Sequence, residues 1–327
     1  MIAVVKPGLL TTVQDAGRPG FRAYGMPVAG AMDRLSLSLA NVLAGNAPGA
    51  AALEFTLLGG TYRFEEPAYV ALCGADMQAR LAGAPVGPWA GFPVGAGDEL
   101  VLGGARSGVR AYLAVRGGID VPEVLGSRST YARGGVGGLD GRALKAGDVL
   151  RAGRSRGPLP RSRTLPPALA PVLGGEVRLR AIPGPQDQLF TEVGRAIFFG
   201  SEFRVTNRND RMGYQLEGPS IQHLHGPDIV SDALVPGAVQ VPGSGAPIVM
   251  TADAQTTGGY AKIATVIGPD LRLLAQARAG DPVRFESCTP DEAVAALREE
   301  RRRVEEASAL WPARSRSEGG ERRRKRP

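Results

Sequence analysis

Short apolar runs, separated by turns that contain glycine or proline, recur along the whole chain. Runs of this length and spacing are typical of strands, so the pattern predicts a mainly β protein. In the first half we predict strands at Ile2–Val5, Tyr69–Cys73, Glu99–Leu102, Val109–Val115 and Ala143–Leu150. In the second half we predict strands at Glu176–Ala181, Phe203–Thr206, Pro247–Thr251, Lys262–Val266 and Pro282–Glu286.

One early segment alternates like a strand but also fits a helix. Its apolar residues fall at positions i, i+4, i+7 and i+8, the spacing of one helix face: Leu35, Leu39, Val42 and Leu43. Asp33 stands before them, where an N-cap residue belongs. We therefore predict a helix over Asp33–Leu43 that ends at Gly45.

Two further helices are predicted in the second half of the chain. Gln186–Glu192 is expected to form a short one. A longer one is expected to begin after Thr289, because Thr289-Pro290-Asp291-Glu292 combines an N-cap threonine, a proline at the first helical position and a glutamate three residues past the cap. Residues 290–310 would form this helix, and residues 311–327 would form a disordered basic tail.

The proline- and arginine-rich segment 157–175 has no sustained period and is predicted to be a linker. It would separate an N-terminal β domain, residues 1–156, from a C-terminal β domain, residues 176–289. Val28–Asp33 and Val235–Gln240 resemble each other weakly, as two copies of one β domain would. Chance similarity among 46 glycines is the alternative.

Charge and cysteine content narrow the class of protein. The chain of 327 residues has a net charge of +7, but residues 298–327 carry eleven Lys or Arg against six acids. The remaining residues are nearly neutral, so nucleic-acid binding is not expected outside the tail. Two cysteines without metal-binding spacing predict a reduced, cytoplasmic protein, and no signal peptide or membrane span is expected.

The richest candidate for binding chemistry is the loop Asp253–Tyr260. It places hydroxyls, an amide, a carboxylate and glycines between two apolar runs, with Lys262 two residues after it. Loops held by rigid strands commonly carry binding and catalytic groups. The alternative is a glycine-rich hairpin whose polar residues only satisfy the turn.

Other candidate sites are weaker. His223 and His225 would share a strand face, but two ligands do not complete a metal site, so no metal is expected. The glycine-rich segment Arg133–Arg142 has no Walker spacing, and it would be either an anion-binding loop or an exposed connection. Arg211 offers a planar fork for a carboxylate. The alternative for Arg211 is a salt bridge to Glu217 or Asp210.

Several runs, in order, resemble the family of the 5-oxoprolinase C subunit, also called KipA or allophanate hydrolase subunit 2, which is biotin-dependent carboxyltransferase-like. The runs are Lys6–Arg18, Gly25–Asp33, Leu39–Asn46, Leu53–Glu54, Ser127–Thr130, Arg211–Tyr214, Ser231–Asp232 and Gln255–Tyr260. The resemblance extends to the turn at Gly280-Asp281. Asn207–Asp210 departs from the hydroxyl-rich run expected there, which leaves the substrate open.

This resemblance implies two cyclophilin-like β-barrel domains in tandem. It also implies an enzyme component that works with a sister B subunit, similar to KipI, and in some members with an A subunit as well. The implied activity is the opening of 5-oxoproline to glutamate by an ATP-dependent hydrolase, with ATP and Mg shared with the partner. One alternative is the carboxyltransferase half of a biotin-dependent urea carboxylase. Another is a non-enzymatic regulator that binds a KipI-like inhibitor.

The resemblance and the residue types together suggest a set of site residues. Arg211, Lys262 and Asp232 are expected to be catalytic, with Arg211 and Lys262 as anion clamps. The substrate-binding residues would be Gln255, Thr256, Thr257, Asp33 and Asn41. Arginine, lysine, hydroxyl and amide groups can all stabilise a developing negative charge. These residue types alone do not separate a lactam hydrolase from a carboxyltransferase.

Overall fold

The computed structural model describes residues 1–155 and 158–311. Its N-terminal half contains two antiparallel six-stranded sheets, with strands numbered in chain order. The first sheet contains β1 (Ile2–Lys6), β4 (Thr61–Phe64), β6 (Arg80–Leu81), β7 (Ala84–Pro85), β9 (Glu99–Val101) and β11 (Val149–Leu150). The second contains β2 (Leu10–Gln14), β3 (Ala52–Thr56), β5 (Ala68–Asp76), β8 (Ala90–Val94), β10 (Ser107–Val115) and β12 (Arg163–Thr164).

The two sheets bury a common apolar core, to which both contribute alternate residues such as Val4, Phe64, Leu72 and Leu113. Alternation of buried and exposed positions is the pattern expected where one sheet face is covered. The short strand β12 pairs with β8, so the segment predicted as a linker contributes to this half.

Helix α1 (Arg34–Ala44) covers the other face of the second sheet, where it packs on Cys73 and Tyr112. Its prediction is confirmed: Asp33 is the N-cap, accepting a hydrogen bond from the Ser36 N–H at 2.9 Å, and Gly45 ends the helix with φ of 79°. A positive φ favours glycine at this position because a side chain there would be strained.

The C-terminal half forms a closed barrel of seven strands in the order β13-β20-β17-β18-β15-β14-β21. They are β13 (Val177–Pro183), β14 (Phe203–Asn209), β15 (Gly213–Glu217), β17 (Ala238–Gln240), β18 (Ile248–Met250), β20 (Lys262–Val266) and β21 (Pro282–Ser287). Side chains such as Tyr214, Val239, Val249 and Phe285 fill its interior. A separate two-stranded antiparallel sheet, β16 (Asp228–Ala233) with β19 (Thr257–Tyr260), lies outside the barrel.

The mainly β fold is confirmed, but two of the predicted local elements are wrong. Residues 187–189 form only a 3-10 turn, and helix α2 (Glu192–Gly200) begins later because Thr191 caps it. Strand formation at Ala143–Leu150 is limited to its last two residues, because Lys145 to Asp148 form a turn closed by the Lys145 N–H on the Asp148 carboxylate.

Two more helices complete the described part of the chain. Helix α3 (Leu271–Ala275) lies against the barrel, and helix α4 (Pro290–Leu310) packs on α1 through Val304 and Ala307. The capping box predicted at Thr289 is confirmed, with reciprocal bonds between Thr289 and Glu292. The predicted disordered tail lies, apart from Trp311, outside the described residues. Among the described residues, no helix is both long enough and apolar enough to cross a membrane.

Candidate functional site

A cavity of about 500 Å³ opens on the outer face of the C-terminal barrel. Its floor follows from strand register, because paired residues of antiparallel strands share a face. Gly213 pairs with Met250 and Gln215 with Ile248, while Gln240 pairs with Ile248 from the other side. The intervening residues point into the barrel. The floor is therefore formed by the backbone of Gly213 and by four side chains, those of Gln215, Gln240, Ile248 and Met250.

Two segments wall the cavity. One is the hairpin between β14 and β15, through residues 207–210 and Met212, and the other is Gln255 with Gly258–Tyr260. Two asparagines and three glutamines lie in the lining: Asn207, Asn209, Gln215, Gln240 and Gln255. Carboxamides both donate and accept hydrogen bonds. The cavity is therefore suited to a small polar ligand that itself carries an amide or a urea group.

Lys262 lies beside the floor, because it pairs with Gln240 on the neighbouring strand. Its side chain is 4 % exposed, and its Nζ donates to the Asp232 Oδ2 at 2.8 Å. Gln186 donates to the same carboxylate oxygen at 3.1 Å. Hydrogen bonds, above all the one from Lys262, lower the pKa of Asp232 to about 2. The structure thus brings Lys262 and Asp232 together, as a charged pair next to the cavity.

Arg211 lies at the hairpin tip, but its side chain turns away from the cavity toward the N-terminal half. It donates to both oxygens of Asp253, at 2.9 and 3.0 Å, to Glu54 at 2.5 Å and to the Gly30 carbonyl at 2.6 Å. Burial lowers the pKa of Arg211, but Glu54 and Asp253 outweigh it and raise that pKa above the ordinary value. Its salt-bridge partners are therefore Glu54 and Asp253, and not the nearby Glu217 or Asp210 that the sequence suggests.

More buried contacts join the two halves around Arg211. The Arg110 guanidinium donates to the Tyr214 hydroxyl at 2.6 Å, and the Gln276 carboxamide accepts from the backbone of Val109 and Arg110. The Gln276 Nε2 also donates to Asp33 at 2.8 Å. Because Arg211 lies between two residues that wall the cavity, this interface fixes the position of that wall.

The other predicted substrate-binding residues fall into two groups. Asp33 and Asn41 are fully buried in the N-terminal half, where Asp33 caps α1 and the Asn41 Nδ2 donates to the Ala50 carbonyl at 2.8 Å. Gln255 lines the cavity, while Thr256 and Thr257 lie next to it, where Thr257 begins strand β19. Contacts with substrate are thus open to Gln255 and its neighbours, whereas Asp33 and Asn41 hold the scaffold.

Two arginines of the N-terminal half reach this region. Arg22 donates to the backbone carbonyls of Leu234 and Gln255, the latter at 3.1 Å. Arg133, from the glycine-rich loop, contacts the Met212 sulfur at the cavity wall. Arg128 and Arg142 are instead paired with acidic side chains of their own half.

Sequence reasoning misses the glutamines of the floor. Gln215 and Gln240 lie in short strands without any motif, and only cross-strand register brings them together. A polar residue within an otherwise apolar run is the available signal at Gln240. His223 contacts the Val241 carbonyl at 2.9 Å, and within residues 1–155 and 158–311 no group of three or more His, Cys, Asp or Glu could hold a metal ion.

The family model of the carboxyltransferase domain, subdomain A and B, matches residues 24–287. The chain belongs to this family. It is 42 % identical over 308 residues to the C subunit of 5-oxoprolinase from Escherichia coli, covering 94 % of this chain and 97 % of the relative. It is 38 % identical to the C subunit of 5-oxoprolinase from Haemophilus influenzae, covering 90 % and 93 % of the two chains.

A solved structure extends the likeness to the fold. The crystal structure of the K. lactis urea amidolyase matches with a TM-score of 0.89 and 32 % identity, covering 94 % of this chain and 20 % of that one. The carboxyltransferase-like resemblance of the sequence motifs is confirmed by these matches. The residues that line the cavity, and Arg211 with its partners Gly30, Glu54 and Asp253, all fall within the residues 24–287 that the family model matches.

Proposed function

We propose that this chain is a component of an ATP-dependent 5-oxoprolinase, an enzyme that hydrolyses the cyclic amide of 5-oxoproline to give glutamate. The main support is the 42 % identity to the E. coli C subunit, over 97 % of that protein. The amide-lined cavity is consistent with this substrate, because 5-oxoproline carries a lactam N–H, a carbonyl and a carboxylate. Partner subunits, which the relatives' names imply, would complete the enzyme.

In this proposal the chain binds and orients the lactam. Glutamine and asparagine side chains of the lining would pair with the ring amide, and the charge pair of Lys262 and Asp232 would lie beside it. A cation held in place stabilises an oxyanion that develops at a carbonyl, because its charge is already positioned and no solvent has to reorganise during the reaction. Lys262 is held by Asp232 and is therefore the residue of this chain that we assign to that role.

ATP with Mg belongs to the proposal through the family resemblance. The described residues offer neither a phosphate loop of the Walker type nor a cluster of metal ligands. We therefore assign nucleotide binding to the partner subunits. Replacing Lys262 with alanine should abolish turnover while the complex still assembles, and the exposed Lys6 provides the control substitution to alanine.

A carboxyltransferase acting on urea is the second candidate. It is favoured by the match to the K. lactis urea amidolyase and by 34 % identity to a urea amidolyase of Lachancea kluyveri, of which the chain covers 16 %. A carboxyl group carried by biotin on another protein would then be a substrate. Since urea is also an amide, the same lining would accept it.

The deciding experiment is co-purification of the chain with the products of neighbouring genes, followed by ATP turnover assays. Turnover that depends on 5-oxoproline and on the presence of this chain would support the proposal. Carboxylation of urea that requires a biotinylated carrier would instead support the second candidate. Absence of ATP turnover in every mixture would favour a regulator that binds a KipI-like inhibitor.

A further inference from the structure

Gln240 is a buried polar side chain on the cavity floor, with an exposed fraction of 3 %. Its Nε2 donates to the Tyr260 carbonyl at 3.2 Å. A carbonyl only accepts hydrogen bonds, so this contact fixes which end of the carboxamide is the NH2 group. The Oε1 atom must then point away from Tyr260.

No residue of the described chain donates a hydrogen bond to this oxygen. Gln240 Oε1 is also not sealed from solvent, so it has access to open space. An acceptor that has no protein donor and opens on a cavity is hydrated when the cavity is empty, and it can accept a hydrogen bond from a ligand that displaces this water. The hydrogen bond from the Gln240 Nε2 to the Tyr260 carbonyl thus fixes the position of the Oε1 acceptor.

Gly258 makes room for the Gln240 carboxamide. A Cβ at this position would lie 2.7 Å from the Gln240 Nε2 and 2.7 Å from the Leu234 Cδ1. The φ of Gly258 is not in the left-handed region, so the backbone conformation itself does not require glycine. At Gly259, by contrast, a Cβ would meet the nearest atoms only at 3.6 and 3.8 Å. The glycine at 258 therefore serves to seat the glutamine.

We propose that the Gln240 Oε1 accepts a hydrogen bond from the ring N–H of a lactam bound in the cavity, and so determines specificity for lactams over lactones. This inference rests on the proposed function. A lactone has an oxygen where the lactam has its N–H, so it would face the Gln240 oxygen with a second acceptor. Sites built to hydrogen-bond a ligand group discriminate strongly against analogues that lack it, because the buried protein group loses its partner.

The test compares 5-oxoproline with its lactone analogue, 5-oxotetrahydrofuran-2-carboxylate, as substrates of the assembled enzyme. The readout is the ratio of kcat/KM for the lactam to kcat/KM for the lactone. Intrinsic reactivity of the two compounds is the same for every protein variant, so a change in this ratio reports the protein contact. In Gln240→Met, a substitution of similar volume, we expect the ratio to fall by about tenfold to a hundredfold.

The steric part is tested by Gly258→Ala, which should displace the carboxamide and lower the ratio in the same direction. The matched control is Gly243→Ala, outside the cavity lining, where φ is ordinary and the nearest atom to a Cβ is at 3.5 Å. This control should retain the wild-type ratio. Should Gly258→Ala fail to fold, Gln240→Met decides alone.

The outcomes separate the two proposals. Turnover of 5-oxoproline with a ratio that Gln240→Met leaves unchanged, within about twofold, would overturn the role of Gln240 and leave the proposed function standing. A wild-type complex that shows no turnover dependent on 5-oxoproline would overturn both.

Discussion

Replacing Arg211 with methionine removes the guanidinium that joins the two halves of the molecule. Its side chain is 10 % exposed, and it makes four hydrogen bonds, three of them to carboxylates. After the substitution, Glu54 and Asp253 remain buried, at 1 % and 8 % side-chain exposure, without this countercharge. The remaining cation near Glu54 is Arg110, whose Nε lies 3.9 Å from the carboxylate.

Breaking a buried ion pair by removal of one partner costs about 3–5 kcal/mol, because the other charge stays desolvated. We expect the free energy of unfolding of Arg211→Met to fall by this amount. At about 2 °C per kcal/mol for a large domain, the Tm should fall by roughly 6–10 °C. Urea denaturation followed by tryptophan fluorescence, together with a thermal melt, measures both quantities.

The control is Arg208→Met on the same hairpin, where the side chain is exposed and no described ion pair is lost. Its effect should stay within about 0.5 kcal/mol. A double-mutant cycle of Arg211→Met with Asp253→Asn should give a coupling energy of about 1–3 kcal/mol. If Arg211→Met destabilised the protein no more than Arg208→Met does, the ion pairs of Arg211 would not hold the two halves together.

Three further outcomes are expected. The pKa of Asp232 is lowered from 3.8 to about 2, so its carboxylate should stabilise the fold fully above pH 3.8 and lose this effect as the pH falls toward 2. In Lys262→Ala, the pKa of Asp232 measured by ¹³C NMR should move back upward. An unchanged pKa would exclude the ion pair of Lys262 with Asp232. Asp33→Ala should lower the free energy of unfolding by about 1–2 kcal/mol through loss of the helix cap, measured by urea denaturation, with Asp33→Ser as the cap-retaining control. Burial raises the pKa of both free thiols, Cys73 and Cys288, so neither should react with Ellman's reagent at neutral pH until the chain unfolds; rapid reaction of the native protein would contradict their burial.

Features encoded within a few residues can be predicted from the sequence. Helix α1 and the start of α4 carry their caps and apolar stripes locally, so Asp33 and Thr289 are identified correctly as caps. The start of α2 is not identified from the sequence. This helix is stabilised by apolar contacts with the barrel, such as Phe198 against Phe285, which form only once the barrel has folded. Long-range packing overrides weak local preferences in such short segments.

The site is predictable only in part, for the same reason. The loop at Gln255–Tyr260 can be recognised from its composition, and the structure places it at the cavity. The ion-pair partner of Arg211 cannot be recognised from the sequence, because Glu54 lies 157 residues away and no local pattern connects them. Gln240 escapes prediction since strand register, which sets the cavity floor, is a property of the whole barrel.

The central claim is that a lactam binds in the cavity on the outer face of the C-terminal barrel. Hydrogen–deuterium exchange of the assembled enzyme, with and without saturating 5-oxoproline, tests it most directly. We expect slower exchange in residues 207–215 and 255–260 when 5-oxoproline is present, relative to the lactone analogue and to buffer. Protection confined to other parts of the enzyme, with these two segments unchanged, would contradict it.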